Sequence, residues 1–378
     1  MRTVAAPHER RASRPPSQDL PAPAGFDAAA AILSAIFVGG LYLDGWAHVH
    51  GHVDGSFFTP WHAVLYSGYL LLAGLLVAAA RRGRQEGRAI RSSTPAGYEL
   101  SLLGAAVFVA GGIGDLIWHL IFGFEVSVNA LYSPTHLVLA TGGVLMASGP
   151  LRSAWRGIRE GDVMPWPAVL SLLVVLSVLT FFLQIAHPLV DRFAQGARPD
   201  FGELVFLYQA LGVAGVVLQT ALLMGLVLLA ARRFVLPNGA LTAIFGLNAL
   251  ALSFLSQEIG GSTGSLRLVP AMVVAGLLAD VLYVEIRRRR PGSTALGLRL
   301  LAACVPAILY LLEFLTLIAT TGIWWSVHLW LGSVAVAGIT GFLLSYLMVP
   351  PATPAPGPPQ GPPPGLPAAE DARRSGLR

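Results

Sequence analysis

Apolar residues run through most of this chain in segments of roughly twenty, and short polar stretches separate one segment from the next. A helix of about twenty apolar residues matches the thickness of the hydrocarbon core of a bilayer. The pattern therefore predicts an all-α fold, a polytopic integral membrane helical bundle with about 10 transmembrane helices. The predicted helices lie near 26–48, 61–80, 98–121, 134–150, 166–187, 202–232, 239–257, 266–286, 296–320 and 324–348.

Composition supports the membrane assignment. Of 378 residues, 54% are hydrophobic and only 12% are charged, about half the charged fraction of a typical soluble domain. The two ends differ from the rest, because residues 1–25 are rich in Arg, Pro and Ser and residues 350–378 are rich in Pro and Gly. We predict a disordered arm at 1–25, a duplicated two-helix repeat at 26–150, the remaining helices at 151–349, and a disordered Pro-rich tail at 350–378.

The distribution of Arg predicts how the chain is oriented. The N-terminal arm and the clusters at 81–91, 152–159, 232–233 and 287–290 all fall on one side of the predicted helix map, and the opposite loops contain few Arg. By the positive-inside rule both termini are expected to be cytoplasmic, in a multi-pass protein of the plasma membrane.

Ionisable residues recur in two similar stretches near the N-terminal end. Each stretch is an apolar segment ending in Asp-x-x-x-His, followed by a loop and by Ser/Thr-Pro-x-His at the start of another apolar segment. The first copy contains Asp44, His48 and Thr59-Pro60-Trp61-His62, and the second contains Asp115, His119 and Ser133-Pro134-Thr135-His136. All six Asp and His residues fall at the predicted extracytoplasmic ends of their helices.

The spacing brings three donors together in each copy. Asp and His four residues apart lie on one face of a helix, one turn apart. Thr59 and Ser133 each precede Pro and are predicted to cap a helix, which places His62 and His136 in a first turn. A helix N-terminus favours the neutral imidazole that a metal requires. Two imidazoles and one carboxylate suit copper, iron or zinc.

Other interpretations of the triads remain open. Ionisable groups inside a membrane are functional as a rule, so the triads could instead form a proton relay or a substrate-binding cluster, or their hydrogen bonds could merely fix the hairpins. The sequence also leaves open two mononuclear sites, one shared dinuclear site, or one working site with a degenerate copy. Gly40 and Gly111, each four residues before an Asp, are expected to let helices one and three approach closely.

The motif resembles the copper-ligand motif of the C subunit of particulate methane and ammonia monooxygenases. The matching positions are Asp44, His48 and His62, with thirteen residues between the two His, whereas the second copy has sixteen. The resemblance covers only these short motifs. It implies copper as the first choice of cofactor and oxidation as a possible activity, while the donor set itself leaves iron and zinc as alternatives.

Several further residues are candidates for supporting roles. His50 and His52 could complete a site or capture a metal, and Glu125 and Asn129 could orient the imidazoles from the second loop. Glu313 lies deep in a predicted helix, where an ionised carboxylate is costly unless it is paired or faces a cavity. It could line a proton or substrate path, or pair with His328 on the next helix.

Three functional hypotheses follow. The first is a copper-dependent, monooxygenase-like oxidoreductase that acts on a small or lipid-soluble substrate within membrane lipid. The second is a metal-ion or proton-coupled transporter, and the third is a zinc-dependent membrane hydrolase. No nucleic-acid, haem, flavin or iron–sulfur motif is visible, so a redox function would need an external electron donor. Partner subunits or a homo-oligomer remain open.

Overall fold

The computed structural model describes residues 22–52, 58–89, 92–123, 128–191, 193–200, 202–256, 264–289 and 294–349. Within these ranges the regular elements are helices, which confirms the all-α prediction. They are α1 (Phe26–Val49), α2 (Pro60–Gln85), α3 (Glu99–Phe122), α4 (Val128–Tyr132), α5 (Pro134–Ala147), α6 (Gly149–Gly157), α7 (Trp166–Phe182), α8 (Val205–Ala231), α9 (Ala240–Leu255), α10 (Val269–Arg289), α11 (Thr294–Thr320) and α12 (Val327–Met348).

A helix lies at each of the ten predicted positions. Seven of the described helices are long and apolar enough to cross a membrane, namely α1, α2, α3, α8, α10, α11 and α12. The helices α5, α7 and α9 are shorter, so the count of about ten spans stays a prediction. Residues 1–21 of the predicted arm and the whole predicted tail lie outside the described residues.

Large apolar side chains cover the outer surface of the bundle. Ile32, Leu70, Ile117, Leu277 and Leu347 are all more than half exposed. In water, so much exposed apolar surface would be unfavourable, but it is what the surrounding lipid of a membrane protein accommodates. The exposed faces and the seven long apolar helices together support a membrane-embedded bundle.

Helix packing separates the bundle into hairpins. The most extensive contacts join α1 to α2, α3 to α5, α9 to α10, and α11 to α12, while α7 packs against α1 and α9. Twelve of the 17 residues of α7 are buried, as expected for a helix that is apolar on all sides and enclosed by others. The N-terminal hairpins therefore rest against a central helix.

Glycines determine how closely the N-terminal helices approach. A Cβ atom at Gly40 would lie 2.7 Å from the Leu65 Cα, and a Cβ at Gly68 would lie 2.7 Å from the Phe37 Cα. The backbones of α1 and α2 thus touch at both glycines. The prediction that Gly40 and Gly111 bring helices one and three together is wrong, because Gly40 faces α2 and Gly111 faces α5 side chains.

Polar contacts join the helices at the end opposite the triads. Tyr98 donates a hydrogen bond of 2.6 Å to Asp27 Oδ1, and Ser153 donates one of 3.1 Å to Asp27 Oδ2. Arg152 donates to the Gly97 and Leu145 carbonyls at 2.8 and 3.0 Å. These contacts connect the beginnings of α1 and α3 with α6, and so help to fix the relative position of the two hairpins.

Candidate metal centre

The first triad lies where α1 ends and α2 begins. Asp44 and His48 are one turn apart on α1, with the Asp44 Oδ2 atom 3.9 Å from the His48 Nε2 atom. His62 approaches from α2, with its Nε2 atom 3.5 Å from the Asp44 Oδ1 atom. Each carboxylate oxygen therefore faces a different imidazole.

The second triad repeats this arrangement between α3 and α5. The Asp115 Oδ2 atom lies 3.4 Å from the His119 Nε2 atom, and the Asp115 Oδ1 atom lies 3.3 Å from the His136 Nε2 atom. The same atoms face each other as in the first triad, and the imidazole centroids are 6.1 Å apart in both. The sequence-predicted donors are thus brought together in both copies, although a common origin for the two hairpins stays a prediction.

Capping residues place the second His of each triad. Pro60 and Pro134 are the first residues of α2 and α5. The Thr59 hydroxyl accepts a hydrogen bond from the backbone N–H of His62 at 3.1 Å, and the Ser133 hydroxyl accepts one from His136 at 3.4 Å. The predicted Ser/Thr-Pro caps are confirmed, and each cap fixes an imidazole in a first helical turn.

The distances within the second triad are compatible with a shared metal ion. A charge-assisted hydrogen bond between an imidazolium and a carboxylate is about 2.7–2.9 Å long. Two ligands at about 2.0–2.1 Å from a tetrahedral metal ion are about 3.4 Å apart. The Asp115 contacts, at 3.3 and 3.4 Å, match the second value. The donor atoms of each triad all lie within 4.8 Å of one another, so one ion can be shared by three ligands.

Hydrogen bonds fix the tautomers of the second triad. The Nδ1 atom of His119 is 3.1 Å from the Gly123 carbonyl oxygen, and the Nδ1 atom of His136 contacts the Ala130 carbonyl oxygen. A carbonyl can only accept, so both Nδ1 atoms carry the hydrogen. Each ring therefore turns its Nε2 atom toward Asp115. With the Nδ1 atoms held by backbone carbonyls, the Nε2 atoms are the ones placed to bind an ion together with the carboxylate.

The two triads differ in how their carboxylates are held. The Thr135 hydroxyl donates a 2.7 Å hydrogen bond to the Asp115 Oδ1 atom. Trp61 occupies the equivalent position in the first copy, and the Asp44 Oδ1 atom is buried without any hydrogen bond. Burying such an acceptor unsatisfied costs about 1–3 kcal/mol or more. A metal ion would satisfy it.

Both triads open into one cavity of about 1230 Å³. Asp44 and His62 line it from one hairpin, and Asp115 and His136 line it from the other. Tyr66 extends between the hairpins, since its ring lies 6.2 Å from that of His62 and its hydroxyl lies against Gly112. The arrangement consists of two separate three-donor groups facing a common space, with a phenol between them.

The predicted supporting His residues pack differently from the triads. His50 and His52 stack on the Trp46 ring, with centroid distances of 5.1 and 5.2 Å. The His50 Nδ1 atom is 2.8 Å from the Trp46 carbonyl oxygen. Neither residue belongs to a three-donor group within the described ranges, although His50 lines the large cavity. Their role as ligands stays a prediction.

Three of the four remaining supporting residues belong to the described part of the chain. Glu125 falls outside the described residues, and Asn129 is exposed on α4. Glu313 is only 3% exposed and His328 is exposed. No ion pair joins these two residues in the described part of the chain, and the alternative role of Glu313 in a proton or substrate path stays a prediction.

Comparison with known proteins does not assign the chain to a family. No protein-family model, no curated protein and no solved structure matches the chain. The likeness to a monooxygenase subunit therefore remains a likeness of short motifs, and any function has to be argued from the triads and the cavity.

Two residues of the site were not singled out in the sequence. Thr135 is the variable residue within Ser-Pro-x-His, and only the folded loop shows that its hydroxyl reaches Asp115. Tyr66 is four residues after His62, a spacing that places both on one face of α2. The four-residue spacing from His62 could therefore have identified Tyr66 as a site residue from the sequence.

Proposed function

We propose that this chain is an integral membrane metalloprotein in which each Asp/His/His triad holds one metal ion. The observation that carries this proposal is the approach of the His119 and His136 Nε2 atoms to the buried Asp115 carboxylate, while both Nδ1 atoms are held at backbone carbonyls. The unsatisfied Asp44 Oδ1 atom supports it at the first triad. Each triad supplies three ligands and leaves the side facing the cavity for a further ligand.

Copper is the metal that we favour. Imidazole and carboxylate donors accept copper, iron and zinc, and copper binds most tightly in the usual order of divalent affinities. The single cysteine, Cys304, is on α11 and outside both triads, so a thiolate-based site is not proposed. The likeness to the copper motif of the monooxygenase subunit points the same way. Bound copper would supply one-electron redox chemistry and activation of oxygen.

The cavity suggests the class of substrate. Its walls combine aromatic and aliphatic side chains, including Phe37, Phe108 and Phe181, with the polar groups of the triads. Such walls exclude water and favour a small or lipid-soluble molecule that enters from the membrane. Tyr66 lies within reach of both triads and would position a substrate or hold a proton there. The protein would then act as an oxidoreductase of the monooxygenase type, with electrons supplied by an external donor or a partner subunit.

Metal identity can be tested by loading the detergent-purified protein with copper, iron or zinc in separate samples and removing excess ion. We expect copper to be retained best and to give a Cu(II) resonance spectrum with nitrogen coupling from two imidazoles. His136→Ala should reduce the nitrogen coupling, while His328→Ala, at an exposed position on α12, should not. Retention of zinc alone, with no redox-active signal, would contradict the oxidoreductase proposal.

Two alternative functions use the same residues. A zinc-dependent hydrolase is favoured by the triads themselves, since the donor set fits zinc as well, and zinc-dependent cleavage of an ester or amide substrate would identify it.

A metal-ion or proton-coupled transporter is favoured by the buried Glu313, which would extend a polar route beyond the triads. Uptake of metal or protons into vesicles containing the protein, abolished by Glu313→Gln, would identify the transporter.

We also propose a plasma-membrane location with both termini cytoplasmic and the triads on the outer side. The Arg distribution along the sequence supports this orientation. Reporter fusions at the N- and C-termini that are both active only on the cytoplasmic side would agree with it. Labelling of both termini from outside would reverse the orientation without affecting the proposed metal sites.

A further inference from the structure

A second cavity lies deep in the bundle, away from both triads. It measures about 50 Å³ and is enclosed by residues of α7, α8, α9, α10 and α11. As far as the chain is described, its walls contain no Arg or Lys, and it shares no lining residue with the large cavity. The polar groups that line it include Thr180, His187, Gln219, Thr220, Asn248 and Glu313.

Gln219 presents an oxygen atom without a hydrogen-bond partner at this cavity. The Gln219 Nε2 atom donates to the Leu183 carbonyl oxygen at 3.3 Å, which fixes the amide and leaves its Oε1 atom buried and unsatisfied. The neighbouring Thr220 hydroxyl is buried and lies beside the Tyr310 hydroxyl. Unsatisfied buried groups of this kind are rare in folded proteins and call for an unseen partner.

Glu313 adds a carboxyl group to the same space. It is 3% exposed and forms no hydrogen bond or ion pair with any described residue. A buried carboxylate without a partner is strongly disfavoured unless a positive charge or a proton accompanies it. Among the described residues no cationic side chain lines the cavity, so none of them supplies that charge.

His187 does not supply the charge either. Its Nδ1 atom accepts a hydrogen bond from the backbone N–H of Leu189 at 3.2 Å, so the ring hydrogen is on the Nε2 atom. A ring nitrogen that accepts a hydrogen bond carries no hydrogen, so the ring is neutral in this arrangement. The cavity therefore contains neutral dipoles, the unused Gln219 oxygen atom and one acidic group.

We propose that this cavity binds one sodium ion, with the Glu313 carboxylate, the Gln219 Oε1 atom and the Thr220 Oγ1 atom as ligands and water completing the shell. Hard cations prefer oxygen ligands of this kind. A single carboxylate neutralises a monovalent ion, whereas a divalent ion would leave a buried positive charge. Since about 10–15 Å³ of such space admits one water molecule, the cavity has room for an ion and a few waters.

The site has a structural connection to the candidate metal centre. His187 and Leu189 line the small cavity, while Gln184, Ile185 and Val190 line the large one. One short segment after α7 thus separates the two spaces and forms a wall of each. The sodium site rests on its own ligands, however, and does not depend on whether the triads bind metal.

Binding of radioactive sodium to the full-length protein in detergent tests the proposal directly. We expect saturable binding of one ion per chain, which a large excess of K⁺ or choline does not displace. Glu313→Gln preserves the shape of the side chain but removes its charge, and should abolish binding. Thr220→Val removes one ligand and should weaken affinity about tenfold or more. The control Thr316→Val, on α11 but outside the cavity lining, should bind sodium as the parent does.

Thermal unfolding at constant ionic strength gives a second readout. Replacing choline by sodium should raise the Tm of the parent by several degrees, and should leave the Tm of Glu313→Gln unchanged. Equal effects of sodium, potassium and choline would overturn the proposal, as would an intact sodium response in Glu313→Gln. A parent whose Tm responds to pH but not to sodium would show that Glu313 carries only a proton. The metal content of the triads, measured on the same samples, should be the same in parent and variants.

Discussion

The contact between α1 and α2 at Gly40 provides a sensitive perturbation of the first triad. Gly40 is one turn before Asp44, and Leu65, the residue that it touches, is one turn after His62. The substitution Gly40→Ala adds a Cβ atom that would lie 2.7 Å from the Leu65 Cα and 3.0 Å from the Leu65 backbone nitrogen. Backbone atoms cannot rotate away, so the two helices must separate.

The size of the separation follows from these distances. Carbon atoms in ordinary contact are about 3.5–4.0 Å apart, so α1 and α2 must move apart by about 1 Å. Metal–ligand distances are fixed to within about 0.2 Å, and the Asp44 Oδ1–His62 Nε2 distance is already 3.5 Å. A further increase of about 1 Å would leave one of the three ligands out of reach. We expect metal affinity at the first triad to fall about 10- to 100-fold or more, as it does when the supports of a metal site are removed.

Chelator-competition titration of the purified protein measures this effect. The parent should bind two ions, and in Gly40→Ala one class of site should weaken while the other, held by α3 and α5, keeps its affinity. Gly39→Ala is the matched control, because a Cβ at Gly39 has no atom within 4 Å. Unchanged affinities in Gly40→Ala, or an equal loss in Gly39→Ala, would refute the reasoning.

Two further predictions concern the second triad and the opposite end of the bundle. Thr135→Val removes the hydroxyl that donates to Asp115, and should lower metal affinity about 10-fold at the second triad only. The loss should appear as a shift of one phase of the same titration. A shift of both phases would contradict an independent second site. Arg152→Met removes partly buried hydrogen bonds to the Gly97 and Leu145 carbonyls, and should destabilise the fold by about 2–3 kcal/mol in denaturant unfolding. The exposed Arg156→Met should cost 1 kcal/mol or less, and equal costs for the two variants would contradict this role of Arg152.

The local parts of the site were predictable from the sequence. The proximity of Asp44 and His48 follows from helical spacing alone, and the first-turn position of His62 follows from the Thr-Pro pair that begins the helix. Both features depend only on residues close together in the chain. The recurrence of the same residue types at Asp115 and His136 then predicted the second group. The positions of the helices followed from apolar run length for the same reason.

Features that depend on packing were not predictable. Glu313 and His328 fall at similar levels of neighbouring helices, but sequence does not give the rotation of one helix about its axis, and the structure places the first inside and the second outside. Gly40 and Gly111 were equivalent in the sequence, yet Gly40 touches backbone and Gly111 touches side chains. The large cavity shared by the triads and the small cavity around Gln219 arise from contacts between distant segments, which periodicity does not encode.

Metal content per chain, measured by elemental mass spectrometry on the copper-loaded protein, tests the central claim most directly. The account predicts about two ions in the parent, one in His62→Ala, one in His136→Ala and none in the double variant, with His328→Ala unchanged from the parent. A parent that retains no metal after loading would contradict the account, as would a double variant that still retains two ions.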